Sequence, residues 1–191
     1  MLKMNLHENW FMNTIGDEKE FPAQVPGSVY NDLLANGQME DPYYRDNEMK
    51  ALELMDYDYE YHTVFAVEEA YFQMDEVLLH FDGLDTVADI YLNDNLLGRV
   101  ANMHRQWDFS VKELLKNEGN VLRIVFHSPT KYIKARYDED PVEGSEDAMV
   151  GFPQIRKPHY MFGWDWGPRT PDAGIWRAVS LLGIEKARLK R

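Results

Sequence analysis

An alternation of aromatic and polar residues from position 57, which continues as a mainly apolar stretch to 67, is the feature that most constrains the fold of this chain. Successive side chains of a β-strand point to opposite faces, so a period of two predicts a strand with one face in a core. A helix would instead repeat its apolar face every three or four residues. The predicted buried face carries Tyr57, Tyr59, Tyr61, Thr63, Phe65 and Val67, and between them lie Asp58, Glu60 and His62.

Shorter stretches of the same kind fill much of the remaining chain, and turn residues separate them. Asn93-Asp94-Asn95 is turn chemistry that predicts a hairpin. Helical spacing occurs only in fragments, after Ser28 and over 48–55, and 130–158 contains no strand pattern and is interpreted as a long loop. Together these patterns predict an all-β fold, a jelly-roll β-sandwich with short helical turns. The further strands are predicted over 76–81, 86–92, 96–100, 120–127 and 175–182.

The charge and composition exclude several classes of function. The formal net charge of −13 repels phosphate backbones and anionic lipid surfaces, so we expect no nucleic-acid partner and no membrane partner. The absence of Cys removes disulfides and thiolate metal sites. The first ten residues lack the apolar run of a signal peptide, so a native start at Met1 predicts a cytoplasmic protein.

The stretch His159–Arg169, HYMFGWDWGPR, is the best candidate for a binding site. Four aromatic residues alternate along it, an aspartate lies between two tryptophans, and two glycines free the backbone to turn. A sugar suits this combination, because the C–H face of a pyranose stacks on flat rings and a carboxylate accepts several hydroxyl hydrogen bonds. The alternatives are the core face of a strand, or a corner closed by an Asp–Arg pair.

An acidic stretch over 138–147 contains six carboxylates and no base. Its spacing differs from that of an EF-hand, so a solvated acidic loop is favoured over a Ca²⁺ site. His104 has no second ligand at metal spacing. We therefore predict no metal site and no cofactor.

Five stretches, in this order, resemble the N-terminal sugar-binding domain of glycoside hydrolase family two, in its β-mannosidase branch. The G-L-D-T-x-A-x-I-Y-L-N run is typical of the wider family, and the second and fifth stretches resemble β-mannosidases specifically. The stretches are VPG at Val25–Gly27 with LLANG after it, DPYYRDNE at Asp41–Glu48, FDGLDTVADIYLND at Phe81–Asp94, NMHR at Asn102–Arg105, and FGWDWGPR at Phe162–Arg169, closed by GIWR at Gly174–Arg177.

The resemblance implies a galactose-binding-like jelly roll over residues 1–184 and, over 185–191, the start of a linker to an immunoglobulin-like domain. A (β/α)₈ barrel would follow and hold the two glutamates of a retaining exo-β-mannosidase, which removes terminal non-reducing β-D-mannose. These 191 residues would then contain no catalytic residue and would be inactive alone.

The resemblance also implies roles within the Trp-Asp stretch. Asp165 would accept hydrogen bonds from the terminal mannose and Trp164 would wall its subsite, with Trp166 and Arg169 in support. Arg169 would orient the loop or pair with Asp165, although a purely structural ion pair is equally consistent. We interpret four residues of the DPYYRDNE stretch as interface or scaffold residues: Tyr43, Tyr44, Arg45 and Asn47. Two other hypotheses stay open, a free-standing carbohydrate-binding module and a jelly roll that only packs against a neighbouring domain.

Overall fold

The computed structural model describes residues 1–188 of the chain. In this part the chain forms twelve strands, four α-helices and three short 3₁₀ turns at Lys112–Leu114, Phe152–Gln154 and His159–Met161. The helices are α1 (Val29–Ala35), α2 (Asn47–Leu54), α3 (Glu69–Phe72) and α4 (Pro129–Glu139). The strands are β1 (Leu2–Asn5), β2 (Trp10–Thr14), β3 (Phe21–Ala23), β4 (Tyr59–Phe65), β5 (Glu76–Phe81), β6 (Val87–Leu92), β7 (Asn95–Ala101), β8 (Trp107–Ser110), β9 (Asn120–Phe126), β10 (Phe162–Trp164), β11 (Gly167–Arg169) and β12 (Val179–Ile184).

Ten of these strands form two antiparallel sheets that pack face to face. One sheet has the order β3-β2-β4-β9-β6-β7 and the other β1-β12-β5-β8. The inner faces meet in a single large core that includes Tyr61, Phe81, Ile124 and Leu181, each with no exposed surface. This is the predicted β-sandwich, and β10 and β11 form a separate two-stranded hairpin outside it.

The strand periodicity is confirmed where the sequence showed it most clearly. In β4 the side chains of Tyr59, Tyr61 and Thr63 are buried, and Val64 between them and the strand end is exposed. The hairpin of β6 and β7 turns at the predicted residues and contains a register irregularity next to Gly98. Ser28 caps α1 by accepting a hydrogen bond from the Asn31 backbone N–H.

Four expectations about secondary structure are wrong. The strand predicted from Tyr57 begins at Tyr59, and the Tyr57 side chain, which was expected on the buried face, is 54% exposed. The opening of the chain was not assigned to strands, yet it forms β1 and β2. The last strand begins at Val179 rather than at Ile175. The supposed long loop over 130–158 contains most of α4, which starts with Ser128 as N-cap and Pro129 in its first turn.

A second, smaller apolar cluster lies outside the main core and carries the hairpin. Ile133 of α4, Phe152, Ile155 and Phe162 at the start of β10 are its buried members. The sandwich ends with β12 at Ile184, and of the predicted linker 185–191, residues 189–191 lie outside the described part. None of the helices within residues 1–188 is long and apolar enough to cross a membrane.

Candidate functional site

The predicted binding stretch folds as a tight hairpin with the Trp-Asp sequence at its tip. Phe162 pairs with Arg169 and Trp164 pairs with Gly167, so Asp165 and Trp166 form the two-residue turn. The rings of Trp164 and Trp166 tilt toward each other with their centroids 5.3 Å apart. Asp165 is exposed between them.

Gly163 is a steric requirement of this hairpin. Its φ of +91° lies in the region that favours glycine, and a Cβ placed there would approach Arg169 Cγ to 2.5 Å. Gly167 on the facing strand has open space where a Cβ would stand. The two glycines therefore have different roles, and only the first one shapes the turn.

One aromatic residue of the hairpin is buried beneath it, and two are exposed to solvent. Phe162 is completely buried in the second cluster, whereas Trp164 is 42% exposed and Trp166 is 79% exposed. The Phe162 carbonyl accepts a hydrogen bond from the Met149 N–H at 2.9 Å, which ties β10 to the segment after α4. Burial of Phe162 therefore anchors the base of the hairpin, and Trp164 and Trp166 face solvent at its other end.

Arg169 connects the hairpin to α2 through Glu48. A single Glu48 carboxylate oxygen accepts hydrogen bonds from the Arg169 backbone N–H at 3.0 Å and from Nε at 2.6 Å. Partial burial alone would raise the pKa of Glu48, but the hydrogen bonds and charge of Arg169 lower it below its ordinary value. The ion-pair partner of Arg169 is thus Glu48, and the expected pairing with Asp165 is not the one formed.

A buried polar network fixes the chain on both sides of the hairpin. The Lys157 ammonium group is fully enclosed and lies 2.9 Å from one carboxylate oxygen of Asp85 and 3.0 Å from the other. It also donates to the backbone carbonyl of Asp172, whose carboxylate accepts from the Tyr30 and Ala173 N–H groups. Burial raises the pKa of Asp172 to about 6, despite these hydrogen bonds and one from Ser28 that lower it.

Beside the hairpin lies a cavity of about 510 Å³, which we call the aromatic groove. Trp164 and Trp166 line this groove, whereas Asp165 between them is not among the lining residues. The main lining side chains of the groove are Tyr43, His159, Tyr160, Trp164, Trp166 and Thr170.

The structure places Trp164, Asp165 and Trp166 at the tip of the hairpin and Arg169 at its base, but sequence reasoning missed the groups that hold them. Glu48 ends the DPYYRDNE stretch, which was interpreted as a polar connection, and Tyr43 from that stretch lines the groove. Asp85 lies in the G-L-D-T run, and its buried partner is Lys157. Each of these two stretches contains a carboxylate, Glu48 in the first and Asp85 in the second. These carboxylates were the sequence signal that could have pointed to the two ion pairs. Among residues 1–188, no group of three or more His, Asp or Glu side chains is arranged to hold a metal ion.

The two antiparallel sheets with an attached aromatic hairpin define a galactose-binding-like β-sandwich. The chain belongs to the family described as "Glycosyl hydrolase 2 galactose-binding domain-like", whose profile matches residues 10–177. This membership confirms the resemblance drawn from the five sequence stretches.

Curated relatives of this chain are β-mannosidases. The Beta-mannosidase of Rattus norvegicus is 32% identical over 97% of this chain, and Beta-mannosidase B of Aspergillus terreus is 36% identical over 83%. The chain spans only 22% and 19% of the length of these two relatives. Further domains therefore accompany the matching region in those proteins.

Solved structures agree with this assignment. The Beta-D-Mannosidase of Dictyoglomus thermophilum superposes with a TM-score of 0.94 at 36% identity, over 99% of this chain and 23% of that one. The exo-chitosanase of Amycolatopsis orientalis superposes with a TM-score of 0.66 at 16% identity, which shows the shared fold alone.

Proposed function

We propose that this chain is the N-terminal sugar-binding domain of a retaining exo-β-mannosidase, which hydrolyses terminal non-reducing β-D-mannosides. The observation that carries the proposal is the match of nearly the whole chain to β-mannosidases, in sequence and in structure. The parent protein would contain the immunoglobulin-like domain and the (β/α)₈ barrel, and its two catalytic glutamates would lie on the barrel. The domain alone would be inactive.

Within that parent, the hairpin would contribute to the subsite of the terminal mannose. Trp164 offers a flat apolar wall for the C–H face of the ring, and Asp165 offers two acceptor oxygens to its hydroxyls. Trp166 would support the wall, and Arg169 would hold the hairpin in place through Glu48. The exposure of Trp164, Asp165 and Trp166 on a firmly anchored turn supports this role.

The contribution of such a hairpin to catalysis is orientation and binding. A carboxylate that holds the terminal sugar lowers the free energy of the transition state when its hydrogen bonds shorten as the ring distorts. Proton transfer and nucleophilic attack would remain with the barrel glutamates, and the product would keep the β configuration.

A free-standing carbohydrate-binding module is the second candidate, because two exposed tryptophans beside a groove also suit simple sugar capture. The small share of each relative that this chain spans favours the multidomain enzyme instead.

The mass and activity of the native polypeptide that contains this sequence decide between the two candidates. A polypeptide several times heavier than 22.4 kDa that releases mannose from β-mannosides supports the enzyme. A native chain of this length without hydrolytic activity would leave only the binding module.

A further inference from the structure

We propose that the aromatic groove binds the second sugar of the substrate, the one on the leaving-group side of the scissile bond. This inference rests on the proposed function, since it assumes that the hairpin holds the terminal mannose. It adds an adjoining subsite, in which Tyr43, Tyr160, His159 and Thr170 stand beside the tryptophans of the hairpin.

The chemistry of the groove suits a neutral ring. Its lining contains no carboxylate, lysine or arginine, although the chain as a whole has a formal net charge of −13. Polar groups are supplied by the His159 imidazole, the Thr170 hydroxyl and the phenol groups of two tyrosines. A largely apolar cleft with a few hydrogen-bonding groups is what an uncharged sugar requires, and about 510 Å³ lies within the usual range of ligand sites.

Three aromatic side chains that line the groove are mostly exposed to solvent. Tyr43 is 74% exposed, Tyr160 is 79% exposed, and both face the same groove as Trp166. Single exposed aromatics are ordinary on a protein surface, but convergence on one cavity marks a binding site. Rings that stand free on a fixed backbone can stack on a pyranose without any rearrangement.

The position of the groove relative to Asp165 indicates which sugar it takes. Asp165 lies at the tip and is not among the lining residues of the groove, whereas Trp164 and Trp166 on either side of it belong to both the hairpin and the groove lining. Two adjoining subsites that share these tryptophans match two sugar rings joined by one glycosidic bond. Because an exo-acting enzyme holds the chain end in the first subsite, the second one receives the leaving group.

The test compares two substrates in the full-length enzyme. β-1,4-Mannobiose places a sugar in the leaving-group position, and β-mannosyl fluoride does not. We expect Tyr160→Ala and Tyr43→Ala each to lower the ratio of kcat/KM for mannobiose over the fluoride by about two- to tenfold, which is the contribution of one stacked ring. Tyr57→Ala removes another exposed tyrosine, one that does not line the groove, and is the matched control, expected to leave the ratio unchanged.

The ratio does not depend on the fraction of folded enzyme, because both substrates are measured on the same preparation. An unchanged ratio in both variants, or an equal loss on both substrates, would overturn the subsite and assign the tyrosines to packing against a neighbouring domain. Asp165→Ala, measured alongside, is expected to lower kcat/KM for both substrates. If Asp165→Ala has no effect, the proposed function itself fails, whereas a loss there with an unchanged ratio in the tyrosine variants rejects only the second subsite.

Discussion

At the scale of single residues, the geometry of the tip depends on one glycine. Gly163 adopts a φ of +91°, and a Cβ there would lie 2.5 Å from Arg169 Cγ. Any side chain at this position has to displace the arginine that ties the hairpin to α2. The conformation of the tip and its anchor are therefore set by the same residue.

Gly163→Ala is expected to reduce the free energy of unfolding of the chain by about 1–3 kcal/mol, because alanine is strained at positive φ and clashes with Arg169. Gly167→Ala is the matched control: its added Cβ meets nothing within 4 Å, so we expect little change. Chemical denaturation of both variants measures the difference. Equal stabilities would contradict the steric role of Gly163.

Asp172 is a second single residue with a measurable signature. Burial raises its pKa from 3.8 to about 6, so the folded chain binds a proton between these pH values that the unfolded chain has released. The stability from this proton is complete below about pH 4 and is lost as the pH rises through 6. Asp172→Asn cannot titrate and should remove this part of the pH dependence.

We therefore expect the fall in unfolding free energy between pH 4 and pH 6.5 to be smaller in Asp172→Asn than in the unaltered chain, by on the order of 2 kcal/mol. Denaturation across this range measures it, with Asp75→Asn, an exposed aspartate in the turn before β5, as control. Identical pH slopes for Asp172→Asn and the unaltered chain would contradict the buried, proton-binding state of Asp172.

At the scale of elements, contacts with two helices help to position the hairpin beside the sandwich. Phe162 inserts into the small cluster on α4, and Arg169 is held by Glu48 of α2. Because the Glu48–Arg169 pair is partly exposed, its effect on global stability is small. Its effect on the position of Trp164 and Asp165 should be larger.

Glu48→Gln tests this distinction in the full-length enzyme. We expect kcat/KM on β-mannosides to fall about tenfold, since a misplaced binding group loses rate steeply, while unfolding free energy changes by under about 1 kcal/mol. Glu40→Gln breaks an exposed pair with Lys50 and is the matched control. Full activity in Glu48→Gln would show that the tip is positioned by other contacts.

The same elements show how far the sequence could predict this structure. Strands β4 and β6 were predicted because a period of two survives where one face is buried, and β5 and β9 were predicted as short apolar runs. Strand β2 was hidden because Phe11 is apolar on the outer face, where it stacks on His62. Helix α4 was missed, although the dipeptide Ser128-Pro129 after the predicted strand 120–127 is a helix start signal.

The candidate site was only half predictable for a different reason. The tip residues are contiguous in the sequence, so their chemistry can be recognised from the eleven residues of His159–Arg169. Glu48 and Arg169 are 121 positions apart, and Asp85 and Lys157 are 72 apart. Which carboxylate meets which base over such separations is decided by the packed fold, and local patterns do not contain it.

At the scale of the whole molecule, the chain spans about a fifth of its β-mannosidase relatives. A subsite made by one hairpin encloses only part of a sugar, and partial enclosure gives weak affinity because the loss of translational freedom is not offset. The isolated 191-residue chain should therefore show no β-mannosidase activity and should bind mannose with a Kd above roughly 1 mM. Calorimetric titration with mannose measures this, and micromolar binding would favour the free-standing module.

The most direct test of the account is the activity of Asp165→Ala in the full-length enzyme, compared with the surface control Asp75→Ala. We predict that Asp165→Ala lowers kcat/KM on a β-mannoside by roughly two or more powers of ten, the scale of a lost charged hydrogen bond in an enclosed site, and that the control is unchanged. A decrease of less than about threefold would contradict the assignment of the hairpin tip to the terminal-sugar subsite.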